Sequence, residues 1–375
     1  MDNILLSAAL AFLITFFAIP IIIQVAKDKK LFDEPEERKV HKTVIPTLGG
    51  IGIFAGFIIA TLMGVPPGIA SELQYFAAAS TVIFFLGLKD DILVLSATKK
   101  FIGQLLAAGI IIKFGGIQIN NMHGFFGIYE IPRIASIVLT IFTIIVITNS
   151  FNLIDGVDGL AGSLGILTTV VFGTYFFMAG QLAYAVVAFA LAGSIIAFLI
   201  YNYSPAKIFM GDTGSLLLGL INSILVIKFI NIAGNPAGAF TLEASPAIGF
   251  AILMIPLFDT LRVFTLRILD RRSPFSPDRI HVHHFLLDIG FNHRLVTFTC
   301  VSANIAFIAL AYFLRHMGTT IVLSILLVLA FTFIGVIYYS RPKNRAAAKK
   351  QNTAGTTIIK PHKIFSLTPE SVEAE

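Results

Sequence analysis

Charge is what this chain has least of: Asp, Glu, Lys and Arg make up 13% of its 375 residues, while 56% are hydrophobic and the mean hydropathy is +0.87. A soluble globular domain carries about a quarter charged residues, so the composition excludes one and points to lipid as the solvent. Cysteine is nearly absent. The lone Cys300 rules out an internal disulfide framework and a cysteine-based metal site. No small-residue cleavage site accompanies the first apolar stretch, Ile4 to Val25, which is long enough to cross about 30 Å of hydrocarbon and reads as a permanent anchor. Nor does any period of roughly 20 to 50 residues recur, which counts against a transporter built from inverted repeats.

What is abundant is apolar sequence. Backbone in lipid must close its hydrogen bonds internally, so apolar stretches of this length are helices. Eleven are expected, at 4–26, 47–64, 72–88, 100–114, 132–149, 160–178, 182–200, 213–231, 246–268, 295–314 and 318–340. The expected fold is an all-α polytopic membrane protein with one membrane domain over 1–340. A basic, polar tail over 341–375 has no apolar periodicity and reads as disordered. Lys27, Lys29, Lys30, Arg38, Lys39 and Lys42 follow the first helix, Lys89, Lys99 and Lys100 the third, Lys207 the seventh, and Arg267, Arg271, Arg272, Arg279 and Arg294 the ninth. The opposite ends hold only Lys113, Arg133, Lys228 and Arg315. This bias places the N-terminus outside and the C-terminus in the cytoplasm. Gly115 to Pro132, with its paired glycines and asparagines, reads as a small external hairpin. Pro256 interrupts the ninth helix, whose second half should leave the bundle, and Asp259 with Arg262 reads as an ion pair.

The few acids and histidines gather on the side marked as cytoplasmic. Charge at membrane depth is costly and marks function, so their placement is the informative feature. Asp90 and Asp91 end the third helix in GLKDD. Alone they read first as a solvated helix end, with Lys89 and Lys99 as counter-charges, and otherwise as part of a divalent-cation site. Asn152, Asp155 and Asp158 are spaced i, i+3, i+6, with Gly156 and Gly159 leaving backbone accessible beside them. Capping of the sixth helix needs only one of them, and a helix N-terminus also favours phosphate. Asp212 in FMGDTGS opens the eighth helix, as an N-cap, a metal ligand, or both, preceded by Asn202 and Phe209. His281, His283 and His284 lie in RIHVHH after the ninth helix. Without a nearby cysteine or an HExxH spacing, zinc is disfavoured, and the segment with Arg279 better suits phosphate or sugar hydroxyls. Acids at helix ends fit an enzyme better than an ion-coupled transporter, whose acids belong near the midplane.

Taken together, HKTVIPTLGG from His41 to Gly50, LKDD, NLIDGVDGLAG, FMGDTGS and RIHVHH stand in the order seen in the polyprenyl-phosphate N-acetylhexosamine-1-phosphate transferases, glycosyltransferase family 4. The resemblance covers nearly all of the chain to about residue 340. Such enzymes initiate enterobacterial common antigen, O-antigen and wall teichoic acid, and a more distant likeness is to the phospho-MurNAc-pentapeptide transferase of peptidoglycan synthesis. The resemblance implies transfer of GlcNAc 1-phosphate from UDP-GlcNAc to undecaprenyl phosphate in a bacterial inner membrane, with Mg²⁺, or Mn²⁺ in its place. It implies no nucleic-acid partner and leaves a homodimer open. By the same likeness Asp212 is a metal ligand, Asp90 and Asp91 the acidic pair at the reacting phosphates, and Asn152 and Asp155 neighbours of metal and diphosphate. Asp158 and the backbone at Gly156 would read uracil, Phe209 would stack on it, and Asn202 and Lys42 would contact the nucleotide. The RIHVHH arrangement implies the N-acetylglucosamine branch over the pentapeptide branch.

Overall fold

Each of the eleven apolar stretches expected to be helical forms helix over most of its length, the ninth in two pieces, in the computed structural model, which describes residues 2–29, 45–66, 68, 71–235, 237–273 and 280–342. In chain order the helices are α1 (Asp2–Asp28), α2 (Gly49–Gly64), α3 (Leu73–Ile92), α4 (Ala97–Lys113), α5 (Arg133–Ile154), α6 (Leu160–Met178) and α7 (Leu182–Asn202). They continue as α8 (Gly211–Ala233), α9 (Ser245–Ile252), α10 (Met254–Leu269), α11 (Val282–Ile289), α12 (His293–Leu314) and α13 (Thr319–Tyr339). Between α4 and α5 the expected hairpin forms from strands β1 (Asn121–Phe125) and β2 (Ile128–Glu130), antiparallel, with Asn121 opposite Glu130 and Phe125 opposite Ile128. Lys42, Arg279 and the tail beyond Pro342 lie outside the described residues.

Among the described residues, seven helices are long and apolar enough to cross a membrane: α1, α5, α6, α7, α8, α12 with the 3₁₀ turn that extends it, and α13. The bent pair α9 and α10 makes an eighth if taken as one span. α2, at 16 residues, is a shorter apolar helix. Their outer faces carry large exposed side chains such as Leu6, Phe17, Phe142 and Phe331, the surface lipid would solvate.

α8 is the axis of the bundle. It packs against α2, α3, α5 and α6, and 83% of its apolar window is buried. Lipid offers helices no hydrophobic drive to associate, so close backbone approach through small residues supplies the contact. Gly87 of α3 is such a point: a β-carbon there would lie 2.5 Å from Thr213 Cα and 2.7 Å from Asp212 O. Gly219 of α8 meets α5 in the same way, with Thr148 Cα 2.5 Å from its missing β-carbon. These two contacts bring the acidic end of α3 and the polar end of α5 onto the first turn of α8.

The ninth expected helix is broken, and the break falls at Leu253 rather than at Pro256 itself, with α9 and α10 meeting at 87°. Pro256 has no N–H for the carbonyl of Ile252, and its ring crowds that carbonyl, so the turn before it opens. Asn304 of α12 completes the opened backbone: its Nδ2 donates to Ile252 O at 2.9 Å and its Oδ1 accepts from Ile255 N–H at 2.9 Å. α11 answers to no expected span; it is a short helix carrying the histidines.

Gly87→Ala forces α3 from α8 by backbone contact, at a cost of about 1–3 kcal/mol from overpacking. Gly109→Ala in α4, where a β-carbon meets nothing within 4 Å, is the control. Thermal unfolding in detergent should show a lowered Tm for the first and an unchanged or raised Tm for the second.

Candidate active site

The site begins with a helix cap supplied from another helix. Met210, the residue at the cap position of α8, has no side-chain capping bond. Asp91, in the last turn of α3, takes that role: its carboxylate accepts from the N–H of Asp212 at 2.7 Å, the N–H of Thr213 at 3.0 Å, and the Thr213 hydroxyl. A carboxylate at this end is favoured both by the unpaired N–H groups and by the helix dipole. Gly211 makes the approach possible, since its φ is +71° and a β-carbon would lie 2.1 Å from Thr47 O and 2.6 Å from Asp91 Oδ2.

With its backbone held by Asp91, Asp212 turns its side chain to two other helices. Lys100 Nζ of α4 donates to Oδ2 at 2.6 Å, and Asn152 Nδ2 of α5 donates to Oδ1 at 2.8 Å while also reaching Ser215 Oγ at 3.0 Å. Lys100 is also paired with Asp90, whose Oδ1 accepts from Leu95 N–H at 2.6 Å. One ammonium thus bridges two carboxylates that would otherwise repel. A turn further into the membrane, Asn149 Nδ2 donates to Gln104 Oε1 at 2.8 Å and ties α4 to α5 beneath this cluster.

The loop from α5 to α6 forms the second wall. Asp155 ends α5, and its carboxylate makes no hydrogen bond among the described residues. Burial, with the charges of Asp212, Asp91 and Asp158 added, pushes its carboxyl well above the usual range. Asp158 behaves oppositely. Burial raises it, but His293 at 3.2 Å and the Ala206 N–H at 3.2 Å outweigh that and hold it below the usual value. Asn202 is buried and joins two loops, accepting from Gly159 N–H at 2.9 Å and donating to Ile208 O at 2.9 Å. Phe209 is partly exposed, and its backbone is clasped by the segment before α2, through Pro46 O at 2.8 Å and the Gly49 N–H at 3.0 Å.

The histidines close the third side. His281 and His283 are buried and lie with rings parallel, 1° apart, at 5.8 Å. His283 faces the α5–α6 loop so closely that a β-carbon on Gly156 would stand 2.6 Å from its Nε2. Burial first, then the neighbouring His284, pushes the His283 imidazole down to about 3, so the ring is neutral at pH 7.

Thus Asp90, Asp91, Asn152, Asp155, Gly156, Asp158, Asn202, Phe209, Asp212 and the histidines come from one end of the bundle. The counter-charge to the acidic pair is Lys100, and the expected partners Lys89 and Lys99 make no such contact. Lys100 was legible only in part: Lys100 with Gln104, spaced i, i+4, and Asn149 with Asn152, spaced i, i+3, are polar stripes on apolar helices. Among the described residues no three carboxylates or histidines converge tightly enough to hold a metal by themselves. The donor chemistry nonetheless suits a hard cation, since Mg²⁺ takes one or two carboxylates and completes its shell with water and phosphate oxygens.

Residues 73–230, from the start of α3 nearly to the end of α8, match the family described as glycosyl transferase family 4. The chain is 33% identical over 310 residues to a decaprenyl-phosphate N-acetylglucosaminephosphotransferase of Mycobacterium leprae, covering 76% of this chain and 77% of that protein. It is 32% identical over 306 residues to a probable undecaprenyl-phosphate N-acetylglucosaminyl 1-phosphate transferase of Bacillus subtilis, covering 79% and 81%. Over 321 residues it is 30% identical to the undecaprenyl-phosphate alpha-N-acetylglucosaminyl 1-phosphate transferase of Escherichia coli K12, covering 83% and 84%.

Lys100→Met keeps the aliphatic stem and removes the bridging charge, leaving Asp90 and Asp212 to repel. The side chains are partly exposed, so the loss is about 1–2 kcal/mol. The Tm in detergent should fall at low salt, recover partly at high salt, and be largely restored by Lys100→Arg. An unchanged Tm for Lys100→Met at low salt would contradict the bridging role.

Proposed function

The chain belongs to glycosyl transferase family 4, and on that premise we propose that it transfers N-acetylglucosamine 1-phosphate from UDP-N-acetylglucosamine to undecaprenyl phosphate, releasing UMP. The observation that carries this reading is the convergence of three helices on Asp212, at the head of a fourth. Asp91 of α3 holds its backbone, Lys100 of α4 and Asn152 of α5 hold its carboxylate, and the Asp155 carboxylate stands by without a hydrogen bond among the described residues. This is an assembly of oxygen donors and one cation at a helix N-terminus, the environment that receives phosphates.

The reaction is a direct displacement. An oxygen of the lipid phosphate attacks the β-phosphorus of the UDP-sugar, a new P–O bond forms, and the bond from that phosphorus to the bridging oxygen breaks, so UMP leaves with the electron pair. A phosphate monoester has a second pKa of about 6 and is already largely dianionic at neutral pH, so a general base contributes little. Positioning and neutralisation of charge dominate. Two phosphate substrates entering beside Asp90, Asp91, Asp155 and Asp212 meet, among the described residues, the ammonium of Lys100 that bridges two of these acids. Asp212 and Asp155 would hold Mg²⁺, or Mn²⁺, which supplies the remaining neutralisation of the diphosphate. Phe209 stacks on uracil beside Asp158, Asn202 and Lys42, and the segment Arg279 to His284 receives the sugar. Neutral His283 suits a hexosamine, whose hydroxyls and acetamide need short-range donors and acceptors and no charge.

The setting is a bacterial inner membrane with the site at the cytoplasmic face. We read eleven crossings with the N-terminus outside, adding α2, α3 and α4, of 16, 20 and 17 residues, to the seven long helices and the bent α9–α10 pair. The lysine and arginine asymmetry supports that orientation. Reporter fusions at Lys42, Ala97 and Ser273 should all read cytoplasmic, and an external reading at any one would overturn it.

The decisive assay is UMP release from UDP-N-acetylglucosamine by the purified protein in detergent with polyprenyl phosphate. Wild type should turn over, and Asp212→Ala should lose at least about 100-fold in rate, the scale of a lost electrostatic group in an active site. Asp212→Ala at near wild-type turnover would remove the metal assignment. Preference for UDP-MurNAc-pentapeptide over UDP-N-acetylglucosamine would remove the substrate assignment.

A further inference from the structure

The histidines face the site, yet what holds them there lies behind them, in the second half of the broken helix, beyond the family-matched residues 73–230. Asp259 of α10 is 2% exposed, and a buried carboxylate is tolerated only when its oxygens are fully paired. Here one short segment supplies most of the pairing. Asp259 Oδ2 lies 2.8 Å from His281 Nδ1, and Oδ1 accepts from the Val282 N–H at 3.1 Å and from Arg262 Nη2 at 2.8 Å. Arg262 in turn donates to the carbonyl of Ile280. The backbone on both sides of His281 and its ring are therefore all tied to α10.

A carboxylate beside Nδ1 favours the tautomer with the proton on that nitrogen and leaves Nε2 as the acceptor. It also fixes the ring plane, and the parallel ring of His283 next to it carries that orientation to Gly156, between Asp155 and Asp158. We propose that Asp259 is a positioning residue of the transferase, acting through His281 to set the tautomer and angle of the histidine pair that receives the sugar. This rests on the reading of the chain as a sugar-phosphate transferase. An ion pair of Asp259 with Arg262 that only stabilised α10 would have no use for the bond to His281.

The test is a double-mutant cycle on the full chain in detergent, following UMP release at saturating polyprenyl phosphate while UDP-N-acetylglucosamine is varied. Asp259→Asn and His281→Asn should each lower kcat/KM for the nucleotide sugar by roughly 10–100-fold, the range for losing a group that orients a histidine. The double variant should fall no more than about twofold below His281→Asn alone, because coupled residues are not additive. A kcat/KM for Asp259→Asn within about twofold of wild type, or single losses that multiply in the double variant, would overturn the proposal. Should Asp259→Asn fail to fold, the wild type decides. In protein labelled with ¹⁵N-histidine, with His281→Asn used for assignment, His281 should carry its proton on Nδ1, and a neutral ring protonated on Nε2 would overturn the inference. If wild type released no UMP, the transferase reading would fall, and the ring tautomer would still decide the placement of His281 by Asp259.

Discussion

The carboxylate of Asp91 on the first turn of α8 is the contact from which the site takes its form. A helix capped by its own sequence can sit anywhere its packing allows. This one is capped by a residue of α3, so the bond that satisfies its N-terminus also locks two helices in register. Gly87 permits the backbones to approach, and Gly211 admits the carboxylate. Asp212 then has its main chain held from one side and its side chain free for the other, where Lys100 and Asn152 meet it. Asp90 and Asp91 are adjacent in sequence and yet bound differently, since Asp91 is fixed to a helix end and Asp90 shares a lysine.

Hydropathy made the helices legible and the sparse charges made the site legible, for the same physical reason. Lipid leaves backbone few choices other than helix, and it makes each acid costly enough that its position is informative. Thus the ends of α3, α5 and α8 could be marked from GLKDD, NLIDGVDG and FMGDTGS before any geometry was known. What could not be read was pairing. Lys89, Lys99 and Lys100 look alike in a string, and only the direction of α4 decides that Lys100 points to Asp212 and Asp90. The place of the break before Pro256 was out of reach for a similar reason, because it depends on Asn304, 48 residues beyond that proline, being available to accept and donate there.

The histidine segment shows the limit from another side. Three histidines in four residues announce a binding element, and Pro256 announces that the helix before them is interrupted. Their depth of burial, and the anchoring of His281 on a helix some twenty residues earlier, are properties of the folded bend. The 87° turn that brings α10 beneath α11 is what allows Asp259 to reach back to them.

That bend also bears on the membrane as a barrier. A helix opened by proline exposes a carbonyl and an amide, and in hydrocarbon such a pair is a foothold for water and, behind it, for protons. Asn304 fills both positions with a single amide group, so that carbonyl and that amide are paired within the protein. The helix can therefore turn through nearly a right angle without leaving that carbonyl and amide bare to hydrocarbon.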